Sequence, residues 1–319
     1  MSPKFQTHQI SLPPALAGRR LDQALAQLLP QYSRTRIQRW IEDGAVRVNG
    51  LAARGRDVVV GGEAAVVEAR FPEETSVAAE KLPLDIVHED AAVLVINKAP
   101  GVVVHPGAGN REHTLQNALL AHDPKLKRVP RAGLVHRIDK DTSGLLVVAR
   151  TLEAHTALVS ALGAHKIERE YLALCTGVMT GGATVDEPIG RHRTQRTKMA
   201  VRSDGRAAVT HFRIEKRFRG HTLARVRLET GRTHQIRVHL AHAGYPIVGD
   251  PVYGGRRRLP AGATSELKAA LENFHRQALH AARLSFTHPR TGKAVSYTAP
   301  LPADFAGLLA ALARDVDAA

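Results

Sequence analysis

Apolar positions along this chain change period several times, and the changes divide it. Leu21, Leu25, Leu28 and Leu29 recur at helical spacing and stop at Pro30. Ile37, Trp40 and Ile41 share one face of a second predicted helix, with Ser33 as its N-cap and Gly44 as its end. Val46 to Val48 reads as a strand running into Asn49-Gly50, and Val58–Val60 with Ala64–Val67 predict a short hairpin about Gly61-Gly62. Ahead of these, residues 1–17 read as a loose arm closed by Pro13-Pro14. Residues 71–80 carry Pro72, Glu73, Glu74 and Glu80 and no basic residue, the pattern of a linker.

The longer remainder alternates strands and helices. Leu84–Val87, Val93–Lys98 and Val102–Val104 predict strands, the second stopped by Pro100-Gly101. Thr114–His122 predicts a helix ended by Pro124. Leu145–Ala149 is an uncharged run of the kind buried on both faces. Thr151 caps a helix running to about Leu162, and Ile167–Thr176 alternates as a strand. Phe212 with Ile214, and Leu223–Leu228, give two more strands. Glu229–Gly244 fits a helix better than a strand, with Thr233 as N-cap, Gly244 as stop and Ile236, Leu240 and Ala243 on one stripe. Ala278–Ala281 predicts the end of a helix, Leu284–His288 a strand, and Tyr297–Leu301 closes the sheet. The Ala-rich C-terminus is expected to be a peripheral helix. No internal repeat is present.

Charge narrows the partner. The 319 residues hold 45 Lys and Arg against 30 Asp and Glu, a formal net charge of +15, which favours a polyanion such as nucleic acid. Between Arg19 and Arg56 eight arginines face three acids, and Arg34, Arg36 and Arg39 lie opposite the apolar helix face. An RNA-phosphate surface including Arg47 is the stronger reading there over a merely solvated one. In the acid-free stretch from Arg191 to Arg202, an exposed basic loop and an RNA-contacting loop through Arg191, Arg193 and Lys198 are equally open. No apolar run approaches the roughly 18 residues of a membrane span, and the N-terminus lacks a signal-peptide core, so a soluble cytoplasmic protein is expected. Cys175 is the single cysteine, which excludes intrachain disulfides and Cys-based zinc sites. His234, His239 and His242 do not have the spacing of a metal site, and no metal is expected.

The densest chemistry lies in His136-Arg-Ile-Asp-Lys-Asp141, five ionisable groups in six positions directly before Thr142-Ser-Gly144 and the buried run. Charge clusters are commonly solvated ion pairs, but a core strand can also hold such a loop in place. Asp139 and Asp141 are too close in sequence, with Lys140 between, to suggest a glycosidase pair. Gly107-Ala-Gly109 lacks the third glycine of a dinucleotide loop, no Walker lysine or Gly-x-Ser-x-Gly elbow occurs, and no methyltransferase cofactor loop is present. A reaction on RNA with one carboxylate, no cofactor and no metal is expected.

Two resemblances sharpen this. Arg20-Leu-Asp-Gln-Ala-Leu-Ala, Ser33-Arg-Thr-Arg-Ile and Gly44-Ala-Val-Arg-Val-Asn-Gly50 resemble the S4 RNA-binding domain. His136-Arg-Ile-Asp-Lys-Asp-Thr-Ser-Gly144, Arg169-Glu-Tyr171 and Gly231-Arg-Thr-His-Gln-Ile-Arg-Val-His239 resemble, in order, the three motifs of the RluA family of pseudouridine synthases. Ile138, where leucine is common, is a conservative departure. The family resemblance implies that Asp139 enables cleavage of the uridine glycosidic bond, that Tyr171 stacks on the uracil and helps remove its C5 proton, and that Arg237 pairs with Asp139. It implies that Arg137 enters the RNA stack as the base flips out and that Ile236 packs beside the base. Whether Asp139 attacks sugar or base, or removes a sugar proton, stays open.

The expected fold is α+β: a catalytic domain on a mixed, largely antiparallel sheet, preceded by a small S4-type α/β RNA-binding domain. The expected divisions are an arm over 1–17, the S4-like domain over 18–70, a linker over 71–81, the catalytic domain over 82–303 and a tail over 304–319. Val104-His-Pro-Gly-Ala-Gly-Asn110 and Val248-Gly-Asp-Pro-Val-Tyr-Gly-Gly255 extend the resemblance toward a synthase of large-subunit ribosomal RNA. That implies several uridines of the subunit-interface hairpin as substrate, free or in the pre-ribosomal large subunit, and a monomeric enzyme. A synthase for another ribosomal or transfer RNA site, or a non-catalytic assembly factor, are the alternatives.

Overall fold

The computed structural model describes residues 5–30, 32, 34–70, 77–107, 109–195, 197–256 and 258–318. The chain forms two compact units, Met1–Ser76 and Val77–Ala319. Ser33, Arg196 and most of the expected linker lie outside the described residues.

In the first unit, strand β1 (Phe5–Ser11) leads to helices α1 (Leu21–Leu28) and α2 (Arg34–Glu42), then strands β2 (Val46–Val48), β3 (Leu51–Ala52) and β4 (Ala64–Arg70). The strands form one antiparallel sheet in the order β1-β4-β2-β3. Leu25, Ile37, Trp40, Val46 and Val67 fill the space between helices and sheet. Two expectations are corrected here. Residues 5–11 are not a loose arm, because β4 needs a second neighbour for its outer N–H and C=O groups and β1 supplies it in full register. Val58–Val60 is not half of a hairpin: Val58 and Val60 are exposed, and the segment makes only a bridge to Arg20.

The second unit contains strands β5 (Ile86–Glu89) and β6 (Val93–Lys98), helix α3 (Leu115–His122), strand β7 (Ser143–Ala149), helix α4 (Leu152–Gly163) and strand β8 (Glu168–Thr176). After them come β9 (Ala183–Asp186), β10 (Ile189–Arg191), β11 (Met199–Val201), β12 (Val209–Arg217), β13 (His221–Leu228) and helix α5 (Gln235–His242). Helix α6 (Ser265–Glu272), strands β14 (Leu279–Thr287) and β15 (Ala294–Thr298) and helix α7 (Ala303–Asp317) complete it. Nine strands form one sheet in the order β5-β6-β7-β14-β8-β13-β12-β9, with β15 also on β14. Every pairing is antiparallel except β14 with β7.

The apolar runs of β6 and β7 are explained by two cores, one on each face. Leu94, Ile96, Leu146 and Val148 enter the larger core with α3, α6 and α7, while Val93, Val95, Leu145 and Val147 meet α4. The basic stretch after residue 190 is an antiparallel hairpin of β10 and β11. Val102–Val104 is irregular, with one bridge from Val103 to Thr114. Leu279–Ala281 belongs to strand β14, not to a helix end, and the strand continues through a bulge between Ala281 and Arg283.

Helix α7 is not peripheral. Phe305, Leu308, Ala311 and Leu312 are buried in the larger core, and Arg219 and the Thr264 N–H both reach the Asp315 carboxylate. An Ala-rich segment still presents a full stripe when its few large residues fall at helical spacing. Replacing Phe305, which is 0% exposed, by alanine should therefore lower the stability of this unit by about 3–5 kcal/mol in urea unfolding. A loss below about 1 kcal/mol would restore the peripheral reading.

Candidate active site

The loop from Gly133 to Thr142 runs along an edge of β7 that β14 leaves unpaired. Strand β14 pairs with β7 only at Ser143 and Gly144. Beyond that point Leu134 bridges Val148, and the His136 ring takes over, its Nε2 accepting from the Val147 N–H at 3.1 Å. The ring proton must then sit on Nδ1. Burial, with the nearby charges of Arg169 and His105, holds the His136 pKa down to about 3. Gly144 is required at the divergence: its φ is +110°, and a Cβ there would stand 2.3 Å from Ala281 O.

Behind the loop lies Lys98, 2% exposed, whose Nζ donates to Ala99 O at 2.7 Å and to Lys140 O at 2.8 Å. Burial lowers its pKa to about 7, against the opposing pull of Asp141 and Asp139. A neutral amine keeps two N–H donors, enough for both carbonyls.

Asp139 projects from this loop and meets α5. Arg237 Nη1 donates to Asp139 Oδ2 at 2.9 Å. Nε and Nη2 of the same guanidinium donate to Asp250 Oδ2 and Oδ1 at 2.7 and 2.8 Å. The side chains of Arg237 and Asp250 are 5% and 0% exposed and that of Asp139 is 18% exposed, so the pair behind is dry and the front carboxylate meets the cavity. Burial pulls the Arg237 pKa down, but the two carboxylates outweigh it and it lies above the usual arginine range. Burial likewise pushes Asp250 up, yet Arg237 and the N–H groups of Val252 and Tyr253 bring it below the usual carboxylate range. Asp139 Oδ1 accepts no hydrogen bond among the described residues, which leaves it open to a substrate.

Helix α5 starts one residue later than expected. Its N-cap is His234, in the left-handed region at φ +56°, rather than Thr233. Gln235 does the capping from inside the helix: its Oε1 accepts from Arg232 N and Thr230 Oγ1, and its Nε2 donates to Val209 O and Thr210 Oγ1. This turn puts Ile236 and Arg237 on the buried side. His239 is committed elsewhere, to Thr210 Oγ1 and Glu187 O.

Asp139, Tyr171, Arg237, Arg137 and Ile236 line one cavity of about 830 Å³. Tyr171 on β8 is 5% exposed and its hydroxyl makes no hydrogen bond among the described residues. Burial raises its pKa, with Asp139 pushing the same way and Arg169 opposing. Arg137 is exposed at the mouth. Of the expected RNA-contacting residues, Arg191, Arg193 and Lys198 lie on the β10–β11 hairpin of this unit, away from the cavity lining. Arg34, Arg36, Arg39 and Arg47 are in the first unit, where Arg34 donates to the buried Asp22 at 2.8 Å. Sequence reasoning missed the role of Asp250, which sits in a Gly-Asp-Pro turn that reads as an ordinary loop; its signal was that Val248–Gly255 shares the family resemblance.

Comparison with known proteins agrees with this geometry. The family model for RNA pseudouridylate synthase matches residues 92–242, and that for the S4 domain matches residues 19–62. A protein of Xanthomonas campestris named ribosomal large subunit pseudouridine synthase D is 54% identical over 96% of this chain and 93% of its own. A protein of the same name from Escherichia coli O157:H7 is 53% identical over 94% of this chain and 92% of its own. This chain belongs to the RNA pseudouridylate synthase family. Among solved structures, human RNA pseudouridylate synthase domain containing 1 is 26% identical with a TM-score of 0.54, covering 70% of this chain and 86% of its own. The synthase motifs are the three segments that bring Asp139, Tyr171 and Arg237 to one cavity.

Two predictions follow from the charges. Asp250→Ala leaves Arg237 with one partner at the cavity edge, so stability should fall by about 3–5 kcal/mol in urea unfolding and kcat should drop by roughly 10²-fold as Asp139 loses its fixed position. Lys98 has a folded pKa of about 7, below its unfolded value of 10.5, so the unfolded chain binds more protons between them and stability rises with pH across that window. The stability difference between wild type and Lys98→Met should move by a few kcal/mol in favour of wild type from pH 7 to pH 10. A flat difference would mean that Lys98 stays charged.

Proposed function

We propose that this synthase converts uridines of large-subunit ribosomal RNA to pseudouridine, several of them in the subunit-interface hairpin. It acts as a cytoplasmic monomer on free RNA or on the pre-ribosomal large subunit, without metal or cofactor. The names of the relatives, matched over nearly their whole length, support the choice of RNA. The observation that carries the chemistry is Asp139: one carboxylate oxygen held by Arg237, the other open to the cavity beside Tyr171.

In this reading the target uridine leaves the RNA stack and Arg137, exposed at the mouth, fills the gap. Its base lies against Tyr171 and Ile236. Asp139 assists cleavage of the C1′–N1 bond, either as a nucleophile or as a base. The freed uracil turns, C5 bonds to C1′, the C5 proton leaves with help from Tyr171, and N1 gains a proton, so atoms balance within the isomerisation. Arg237 is preorganised by Asp250 and does not have to move as charge shifts on Asp139. Exposed basic residues of the first unit, with Arg191, Arg193 and Lys198, hold the RNA backbone.

Asp139→Asn keeps the shape of the side chain and removes its charge. It should abolish tritium release from C5-labelled uridine RNA while RNA affinity stays within a few fold. Turnover near wild type would end the assignment of Asp139.

A further inference from the structure

One buried cation lining the catalytic cavity has no counter-charge among the described residues. Arg169 on β8, two residues before Tyr171, is 9% exposed and lines the cavity. Its Nε is sealed from solvent without an acceptor. Its one hydrogen bond among the described residues is a long 3.4 Å contact from Nη2 to Glu229 O. Among the described residues none of the neighbouring acids pairs with it: Glu170 is held by Arg225, the Glu229 carboxylate meets His211 at 2.7 Å, and Glu168 makes no ion pair with Arg169. Arg237, the other arginine buried this deeply, holds two carboxylates.

The surroundings have the same bias. His136 also lines the cavity, and its Nδ1, which carries the ring proton, is sealed without an acceptor. Gly231 leaves room for the guanidinium, since a Cβ there would stand 2.8 Å from Arg169 Nη1. A buried guanidinium without an anion is destabilising, and its planar fork matches a phosphate.

We propose that Arg169 is a phosphate-binding residue of the catalytic cavity, taking a backbone phosphate adjacent to the uridine whose base lies against Tyr171. This rests on the reading of the Asp139 cavity as the site of uridine isomerisation. A flipped nucleotide carries its phosphates with it, and the sealed guanidinium fixes how deep it enters. Charge-assisted contacts of this kind are stronger than neutral ones, which makes Arg169 a determinant of positioning as well as of affinity.

Hairpin RNAs carrying one uncharged methylphosphonate at each linkage in turn around the target test it. Wild type should lose about tenfold in affinity at one linkage beside the target uridine. Arg169→Met should bind unmodified RNA about tenfold more weakly and lose nothing further at that linkage, while losses at other linkages are unchanged. Its KM should rise, and the slope of log affinity against log salt should flatten by roughly 0.7–0.9. Arg169→Lys, which keeps the charge, should fall between the two and carries the same test if the methionine variant misfolds. Losses that multiply at every linkage would overturn the proposal. So would a fall in kcat with KM and salt slope unchanged, the result expected if Arg169 instead balanced charge on freed uracil. Tritium release by wild type on the unmodified hairpin reports separately on the underlying reading, because the linkage test is read in affinity.

Discussion

The site depends on a buried guanidinium that needs two carboxylates at once. At 5% exposure a charged Arg237 without them would be strongly destabilising, and Asp250 behind and Asp139 in front come from segments far apart in the chain. The requirement therefore joins α5, the turn after Gly249 and the loop before β7. Gly249 makes the turn possible: its φ is +72°, and a Cβ would stand 2.2 Å from Arg276 O. Asp250 also receives the N–H groups of Val252 and Tyr253, so it is fixed before it meets Arg237. Tyr253 then stands over the guanidinium, its ring centre 5.1 Å from Cζ, and its hydroxyl reaches His234 Nδ1 at 2.9 Å. A carboxylate held through such a chain keeps one oxygen free at little cost in precision.

The loop that carries Asp139 is fixed from the other side by backbone chemistry. Strand β7 loses its β14 partner after Gly144, and in the interior of a sheet the stranded N–H groups must find other acceptors. His136 supplies one, and Lys98 binds carbonyls beneath the loop. Both are ionisable groups used in their less charged range, because burial disfavours the charge. Within the cluster before the core strand the roles divide: the His136 ring supports the strand edge, while Arg137 and Asp139 face the cavity.

Much of this could be read from the sequence, and the failures have physical causes. β6, β7 and β8 were legible because two-sided burial or alternation leaves a plain pattern. Helices α3 and α4 were legible through Thr114 and Thr151, which accept from backbone N–H groups as N-caps should. The central place of β14 was not legible, because its identity as a strand depends on β7, β8 and β15, all distant or later in the chain. The burial of α7 was hidden by alanine, which fits a surface or a core equally well. Asp139, Tyr171, Arg237 and Arg169 lie in recognisable motifs and Asp250 in a segment that shares the resemblance, but the partners of Asp250, and the lack of one at Arg169, show only in distances. A polar residue's partner, or its lack of one, is a property of the fold.

The same point limits what net charge can say about RNA binding. Many of the arginines behind the +15 charge are held by acids or carbonyls: Arg150 by Asp123, Arg202 by Asp204, Arg225 by Glu170 and Glu215, Arg276 by Asp304, and Arg217 by Met179 O. In the first unit the buried Asp22 gathers Arg20, Arg34 and Gln38, so part of the basic helix face also holds α1 and α2 together. A phosphate competes poorly for a cation already paired in a partly buried place. The charges that can release counterions are those without such partners, and their position carries more information than their sum. Arg137 at the mouth and Arg169 within are of this kind, and both face the cavity of Asp139.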